Sequence, residues 1–261
     1  MLLATVLPAL LGLFGCSGGE SPKVTYPDTL EVSMTLPDGP GLRVLFLGNS
    51  LTYSHNLPAT VQAMAQAGGV KLHYLASTPP NMSLEDHWNH APSRKALTST
   101  KWDFVVLQQG PSTLRESQAN LKQWAGLWAD EIRKHNARPA LYMVWPTRGQ
   151  TNGFKLASQS YRNAAVAAKA QILPAGEAWE EALRDHPGLA LYEDNLHPTE
   201  AGTYLTALII THELTGVTPD QVPATLKVLG TTRKLPEAQA AKLREVAAKI
   251  IARNRTKEPA K

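Results

Sequence analysis

The feature that most constrains the fold is the alternation of strand-like and helix-like segments that begins near Gly41. Short apolar runs, suited to buried strands, are separated by longer segments with apolar residues at helical spacing. Consecutive strands that are separated by helices pair in parallel, so this order indicates a parallel sheet covered by helices on both faces. The five strands are expected at Arg43–Leu47, Lys71–Ala76, Phe104–Gln108, Ala140–Trp145 and Gln171–Pro174.

Helices are expected between and after these strands. The expected helices are Leu57–Ala67, a short one starting near Ser83, Gln118–His135, Tyr161–Ala170, Ala175–Asp185, Thr199–Thr215 and Pro236–Asn254. The predicted fold class is therefore α/β, a three-layer α/β/α sandwich around a flavodoxin-like five-stranded parallel sheet. Ligands of such sheets bind beyond the carboxyl ends of the strands, where Ser50, Gln108 and Trp145 fall.

Length and composition favour one folded domain with tails. The chain has 261 residues, of which 43% are hydrophobic and 18% charged, as in an ordinary folded protein. We expect a signal segment at 1–16, a tether rich in Gly, Ser, Pro and Thr at 17–40, the α/β domain at 41–220 and a basic helical extension at 221–261. From residue 227 onward the chain has ten Lys and Arg against three Asp and Glu. Because no nucleic-acid-binding motif accompanies them, a solvated basic helix is preferred and no nucleic-acid partner is expected.

The single cysteine, Cys16, follows an apolar segment that is too short to span a bilayer. The sequence LFGCSGG resembles a bacterial lipoprotein signal, which implies cleavage before Cys16 and a lipid anchor on it. This predicts membrane association at the bacterial cell envelope, on the periplasmic or outer face. Phe14 and the lack of Lys or Arg before the apolar run depart from that pattern. An ordinary cleaved signal peptide with a chance thiol remains the alternative.

The run FLGNSLT around Ser50 suggests a nucleophile turn at the end of the first strand. A glycine near the turn admits a backbone path that a Cβ would obstruct, and the helix that follows supplies unpaired N–H groups. The N–H of Ser50 could then donate to an oxyanion. Alternatively, Ser50 is only the N-cap of that helix, a common place for serine.

The pair Asp194 and His197 strengthens the catalytic interpretation of Ser50. Three residues apart on one turn, the carboxylate can accept from Nδ1–H of the imidazole and leave Nε2 free to take a serine proton. Separately, Asp194 would be a loop or capping residue and His197 a polar residue before proline. Together with an exposed serine they form the minimum set for activating a hydroxyl at neutral pH.

The pairing of FLGNSLTY with YEDNLHPTEAGTYL resembles the SGNH or GDSL-like hydrolases, over roughly residues 43–216. This resemblance implies a serine esterase that forms an acyl-enzyme, with Ser50 as nucleophile, His197 as base and Asp194 as its partner. Asn49 stands where many members have Asp. Neither a metal nor an organic cofactor is implied.

The two other oxyanion donors of the family depart from its pattern. Its backbone donor is usually a glycine after the second strand, where this chain has TPPNMS; Asn81 retains an N–H, unlike Pro80, and is preferred. Its side-chain donor is usually an asparagine after the third strand, where this chain has VVLQQGPST. Gln108 is the preferred donor, Gln109 is close behind, and Gln109 is also a candidate for substrate binding.

The expected substrate is a carboxylic ester of a small molecule or glycan, and the resemblance permits acetyl esters of carbohydrates. Among six tryptophans, Trp145 is the candidate for stacking on a sugar, because it ends a strand on the catalytic side. His87 and His90 could share a metal, but no second ligand cluster is apparent, so a structural or substrate contact is preferred. The alternative function is a noncatalytic, membrane-tethered carbohydrate- or ligand-binding module on the same scaffold.

Overall fold

A five-stranded parallel sheet forms the centre of the chain in a computed structural model that describes residues 39–257. The signal segment with Cys16, and all but the last two residues of the 17–40 tether, lie outside the described residues. The strand order is β2-β1-β3-β4-β5, with every neighbouring pair parallel, so the predicted α/β fold class is confirmed. The strands are β1 (Leu42–Leu47), β2 (Leu72–Ser77), β3 (Phe104–Leu107), β4 (Arg138–Tyr142) and β5 (Gln171–Leu173).

The uninterrupted apolar sequence of β1 explains its central position. The strand pairs with β2 on one side and β3 on the other, and its residues from Val44 to Leu47 are fully buried. A strand covered by helices on both faces needs apolar side chains at successive positions rather than at alternate ones. The chain leaves β1 at the carboxyl edge of the sheet and reaches Ser50 three residues later.

Two sets of helices flank the sheet. Helices α2, α8, α9 and α7 pack on one another, and α3, α4, α5 and α6 form the other set. The predicted bounds of α2 and α7 are matched, whereas α4 was not predicted, because its short polar sequence APSRKALT lacks a clear apolar stripe. The helices are α1 (Ser50–Tyr53), α2 (Leu57–Ala67), α3 (Leu84–Asn89), α4 (Ala91–Thr98), α5 (Arg115–Lys134), α6 (Gly153–Ala168), α7 (Ala175–Asp185), α8 (Glu200–Thr215) and α9 (Glu237–Lys257). No helix within 39–257 is both long enough and apolar enough to cross a membrane.

A two-stranded antiparallel hairpin that the sequence did not predict precedes α9. Its strands are β6 (Thr225–Val228) and β7 (Thr231–Lys234), and both residues of the connecting turn, Leu229 and Gly230, have positive φ. Two such residues are the mark of a tight type I′ turn, which normally takes Asn-Gly, so a Leu-Gly turn gives a weak sequence signal. The apolar side chains of β6 join the main core, which gives the hairpin its stability.

The basic helix α9 is held against α7 by ion pairs with a buried carboxylate. Glu181 on α7 is 2% exposed and is contacted by three cations, Arg184, Lys249 and Arg253, the last at 2.7 Å. Burial alone would raise the pKa of Glu181, but hydrogen bonds from Lys249, Arg253 and Arg184 outweigh it and hold the pKa below its ordinary value. The carboxylate of Glu181 therefore neutralises part of the positive charge of α9.

Glu181→Gln is expected to lower the free energy of unfolding at pH 7 by about 1–3 kcal/mol, because three cations lose a buried partner. A depressed carboxyl pKa stabilises the fold above the ordinary glutamate pKa of about 4.3, and this stabilisation is lost as pH falls. The difference between variant and parent should therefore shrink below about pH 4. Urea unfolding at pH 7 and at about pH 3 measures both effects.

Glu245→Gln is the matched control, because Glu245 is an exposed residue of α9 with no ion pair among the described residues. It should leave stability within about 0.5 kcal/mol of the parent. If Glu181→Gln were as stable as this control at pH 7, the carboxylate would not hold α9 in place.

Candidate active site

The turn that carries Ser50 is built by short hydrogen bonds at the end of β1. Asn49 caps α1: its side chain accepts from Leu51 N–H at 3.1 Å, and its carbonyl accepts from Thr52 N–H at 2.9 Å. Ser50 is the first residue of this helix, so its own N–H has no acceptor within the helix. That N–H therefore remains available at the carboxyl edge of the sheet.

Gly48 is required in this turn by the close approach of two side chains. A Cβ at Gly48 would lie 2.4 Å from Thr52 Oγ1 and 2.5 Å from Gln108 Oε1, both shorter than any normal contact. The sequence predicted that a Cβ would obstruct the turn, and crowding by these two side chains is the physical reason. Gln108 can reach the turn only because this position carries no side chain.

The segment 192–198 brings Asp194 and His197 onto one compact loop. The loop is closed by a β-bridge between Tyr192 and Pro198 and by the Glu193 N–H, which donates to the carbonyl of His197 at 2.9 Å. One oxygen of Asp194 accepts from the N–H groups of Leu196 and His197, and its other oxygen lies 2.7 Å from His197 Nδ1. The carboxylate thus organises the loop and orients the imidazole.

Ser50, His197 and Asp194 form a continuous hydrogen-bonded chain. His197 Nε2 lies 2.9 Å from Ser50 Oγ, although 147 residues separate them, and Nδ1 of the same ring faces Asp194 at 2.7 Å. Burial raises the pKa of Asp194, but hydrogen bonds from Leu196 N–H and from the side chain and N–H of His197 outweigh it and lower the pKa to about 2. At neutral pH the carboxylate is therefore ionised and accepts from Nδ1–H, which leaves Nε2 to accept from the serine hydroxyl.

A wide cleft opens beside Ser50. Its volume is about 980 Å³, and its walls are formed by residues that follow β1, β2, β3 and β4 together with Leu196. Most of its polar lining is neutral; Arg148 and Glu116 are its charged residues. Arg148 has no distinctive signal in the sequence, although it follows the fourth strand at the edge where ligands bind.

Asn81, which the sequence predicted as a backbone donor, lies in this cleft. Its φ of 61° is in the left-handed region, which asparagine tolerates better than most residues, and the residue is exposed. Within residues 39–257 its N–H donates no hydrogen bond. A free N–H in the same cleft as Ser50 is compatible with the predicted role.

Gln108 does not have the free donor that the sequence analysis assigned to it. Its side chain is fully buried, and Nε2 donates to Asn49 Oδ1 at 3.0 Å and to the carbonyl of Gln109 at 2.8 Å. Its Oε1 accepts from Asn49 N–H and from the Thr52 hydroxyl. Because both amide hydrogens are already used inside the turn, Gln108 supports the backbone of the nucleophile turn and has none left for an oxyanion.

Gln109 is the glutamine that lines the cleft. Its Oε1 accepts from Leu84 N–H at 3.2 Å, and its Nε2 donates to Ser112 Oγ at 3.0 Å. These bonds fix the orientation of the amide, and one hydrogen on Nε2 has no acceptor among the described residues. From the sequence, Gln108 was the preferred oxyanion donor and Gln109 the second choice. Only the hydrogen bonds of the two side chains distinguish them.

Trp145 is not the sugar platform that the sequence analysis expected. The strand β4 ends at Tyr142, and the Trp145 ring is fully buried and stacked on Trp179 at 3.5 Å. Its Nε1–H donates to the carbonyl of Leu196 at 2.8 Å. Trp145 therefore supports the loop that carries His197 and presents no face to the cleft.

His87 and His90 do not form a metal site with other residues of the described chain. Among residues 39–257, no three His, Cys, Asp or Glu side chains are grouped closely enough to hold a metal ion. His87 is fully buried under the nucleophile turn rather than open to the cleft.

Comparisons with known proteins agree with this fold. No family model and no curated protein sequence matches the chain. Among solved structures, a candidate SGNH hydrolase from Slackia heliotrinireducens aligns with a TM-score of 0.57 at 23% identity over 67% of this chain and 99% of its own. A DUF4886 family protein from Bacteroides uniformis aligns with a TM-score of 0.63 at 20% identity, covering 82% and 95%. An acetyl xylan esterase, AlAXEase, aligns with a TM-score of 0.55 at 15% identity, covering 65% and 98%. The chain therefore has the fold of SGNH hydrolases and related esterases.

Gln108→Met is expected to lower the free energy of unfolding by about 2–4 kcal/mol, because the buried Asn49 N–H and Thr52 hydroxyl lose their acceptor while the side-chain volume is kept. Urea unfolding measures the loss. Gln123→Met, on the exposed face of α5, is the control and should be nearly neutral. A loss no larger than that of the control would show that the turn does not depend on Gln108.

Proposed function

We propose that this protein is a serine hydrolase that cleaves carboxylic esters through an acyl-enzyme, with Ser50 as nucleophile, His197 as general base and Asp194 as the group that orients it. The observation that carries this proposal is the chain of two hydrogen bonds, 2.9 Å from Ser50 Oγ to His197 Nε2 and 2.7 Å from His197 Nδ1 to Asp194. Both lengths are those of a serine paired with its base and a base paired with its carboxylate.

In the acylation step, His197 Nε2 takes the proton of Ser50 as Oγ bonds to the ester carbonyl carbon. The carbonyl electron pair moves onto its oxygen, and the resulting imidazolium is stabilised by ionised Asp194. When the tetrahedral intermediate collapses, the bond to the alcohol oxygen breaks, and that oxygen receives the proton from His197. Water then attacks the acyl-enzyme by the same sequence and regenerates the serine.

The oxyanion of each tetrahedral intermediate would be stabilised by three donors. These are the N–H groups of Ser50 and Asn81 and the Nε2–H of Gln109, which all belong to the same cleft. Gln109 replaces Gln108 in this role because Gln108 has no free amide hydrogen. Loss of one such donor costs about 100- to 1000-fold in rate.

Ser50→Ala is expected to reduce kcat for p-nitrophenyl acetate at least about a thousandfold, because the nucleophile is lost while the fold is kept. The rate, the circular dichroism spectrum and covalent labelling by a fluorophosphonate are measured together. Ser54→Ala, four residues along the chain, is the matched control and should retain both rate and labelling. A noncatalytic binding module would not be labelled at all, and undiminished turnover by Ser50→Ala would remove Ser50 from the mechanism.

The cleft favours a polyhydroxylated alcohol beside the ester group. Beyond Ser50, its lining is rich in small hydroxyl and amide side chains, among them Asn81, Ser83, Thr113, Asn120 and Gln150. Such groups pair with sugar hydroxyls, and an open cleft of this width admits a chain of linked sugars. The similarity to an acetyl xylan esterase supports the same conclusion, so acetyl esters of carbohydrates are the proposed substrates.

Across p-nitrophenyl esters from acetyl to decanoyl, kcat/KM is expected to be highest for acetyl and to fall with each lengthening of the acyl chain. The physical reason is that, in so open a cleft, a longer alkyl chain stays largely in water and gains little from burial. Steady-state rates at concentrations below micelle formation test this, with Ser50→Ala as the background. A maximum at octanoyl or decanoyl would instead indicate a lipase-like enzyme.

The proposed cellular setting follows from the N-terminal sequence alone. The LFGCSGG pattern supports lipid attachment at Cys16 and a location at the bacterial cell envelope, with the tether holding the catalytic domain away from the membrane. An enzyme in that place would meet envelope or environmental glycans, which agrees with the proposed substrate class.

A further inference from the structure

The peptide unit that joins Gly48 to Asn49, just before the nucleophile, is held at both of its polar atoms by side chains. The Gly48 carbonyl accepts from His87 Nε2–H at 2.8 Å, and the Asn49 N–H donates to Gln108 Oε1 at 2.9 Å. The preceding N–H, that of Gly48, still donates to the carbonyl of Ser77 in the sheet. At this peptide, therefore, side-chain partners replace the backbone partners of the sheet.

The proton positions on His87 follow from its neighbours. A carbonyl can only accept, so the nitrogen that faces Gly48, Nε2, carries a hydrogen. Complete burial lowers the pKa of His87 to about 4, so the ring is neutral near pH 7 and its Nδ1 carries none. Nδ1 must then accept from the hydroxyl of Ser93, which lies 2.7 Å away.

Ser93 connects this ring to two further elements. With its only hydrogen given to His87, the Ser93 oxygen accepts from the Ser77 hydroxyl at 2.9 Å and from His90 Nδ1–H at 2.8 Å. Every donor in this group has an acceptor, and the pattern ties β2, α3 and α4 to the nucleophile turn. A fully satisfied buried network of this kind holds its members in one arrangement.

The turn needs such a restraint because Gly48 must be glycine. The close approach of Thr52 and Gln108 excludes a Cβ there, and a residue without a Cβ has the widest choice of backbone angles. A rotation of the Gly48–Asn49 peptide would change the direction of the chain entering α1. Both Ser50 N–H and Ser50 Oγ depend on that direction.

We propose that His87 is a positioning residue for catalysis, which fixes the Gly48–Asn49 peptide by donating Nε2–H to the Gly48 carbonyl and so aims the Ser50 N–H and Oγ. The inference rests on the proposed serine-hydrolase function. His87 contacts neither substrate nor reacting atoms; it acts through the backbone that carries the nucleophile.

The test compares two substitutions that differ in the reach of their amide nitrogen. Glutamine places its Nε2 about where the imidazole Nε2 lies and can still donate to Gly48, whereas the nitrogen of asparagine reaches only as far as Nδ1. His87→Asn should lower kcat for p-nitrophenyl acetate about ten- to a hundredfold with KM nearly unchanged, since misplacement of reacting groups acts on the chemical step. His87→Gln should restore kcat to within about threefold of the parent, because it keeps the donor.

Rates are expressed per active site, counted by fluorophosphonate labelling carried to completion, so that loss of folded protein does not lower the apparent kcat. His186→Asn makes the same chemical change on a histidine whose side chain makes no hydrogen bond within the described chain, and should match the parent. If His87→Asn folds poorly, Ser93→Ala tests the same restraint, because it removes the hydroxyl that holds Nδ1; a severalfold lower kcat is expected.

Unchanged kcat per active site in His87→Asn, or equal losses in the asparagine and glutamine variants, would overturn the proposal and leave His87 as a core residue only. Unchanged kcat in Ser93→Ala would count against it in the same way. These results are distinct from failure of the proposed function, in which Ser50→Ala would retain full activity whatever the His87 variants do.

Discussion

All strands of the central sheet run in one direction, and the candidate site depends on this constraint. In a parallel sheet every loop that leaves a strand emerges at the same edge, so residues distant in sequence are delivered to one surface. Ser50 follows β1, Asn81 follows β2, and Gln109 follows β3. The loop with Asp194 and His197, which lies between α7 and α8, reaches the same edge. It places an imidazole nitrogen 2.9 Å from the serine oxygen.

The polar residues at this edge divide into two groups according to what their hydrogen bonds hold. The Gln108 amide has both of its hydrogens and its oxygen paired, and Asn49 Oδ1 accepts from Leu51 N–H and Gln108 Nε2, so these two side chains stabilise the backbone of the turn. Ser50, Asn81 and Gln109 line the cleft, and each keeps an N–H that has no acceptor within residues 39–257. In the proposed acyl transfer the second group would supply the oxyanion donors, because an oxyanion is stabilised by donors that are not already engaged. The first group makes the second rigid.

Buried side chains also hold the loop that carries Asp194 and His197. Trp145 stacks on Trp179 and donates to the carbonyl of Leu196, next to His197, while the Tyr192 hydroxyl donates to the carbonyl of Pro146. Both hydrogen bonds join the segment after β4 to the loop of Asp194 and His197. The nucleophile turn and the base loop are thus each anchored to the core. Their separation is set by packing rather than by the contact between serine and histidine alone.

The sequence by itself determined the parallel α/β fold, the turn at Ser50 and the local pairing of Asp194 with His197, because all of these depend on short-range patterns: apolar runs, helix starts and residues three apart. The sequence did not distinguish Gln108 from Gln109 as the side-chain donor. It also did not indicate that Trp145 is buried. Whether an amide has a free hydrogen, or which way a ring turns, depends on partners dozens of residues away. Only the tertiary structure brings those partners together, and there the burial of each polar group and the saturation of its hydrogen bonds separate residues that support the site from residues that face the substrate.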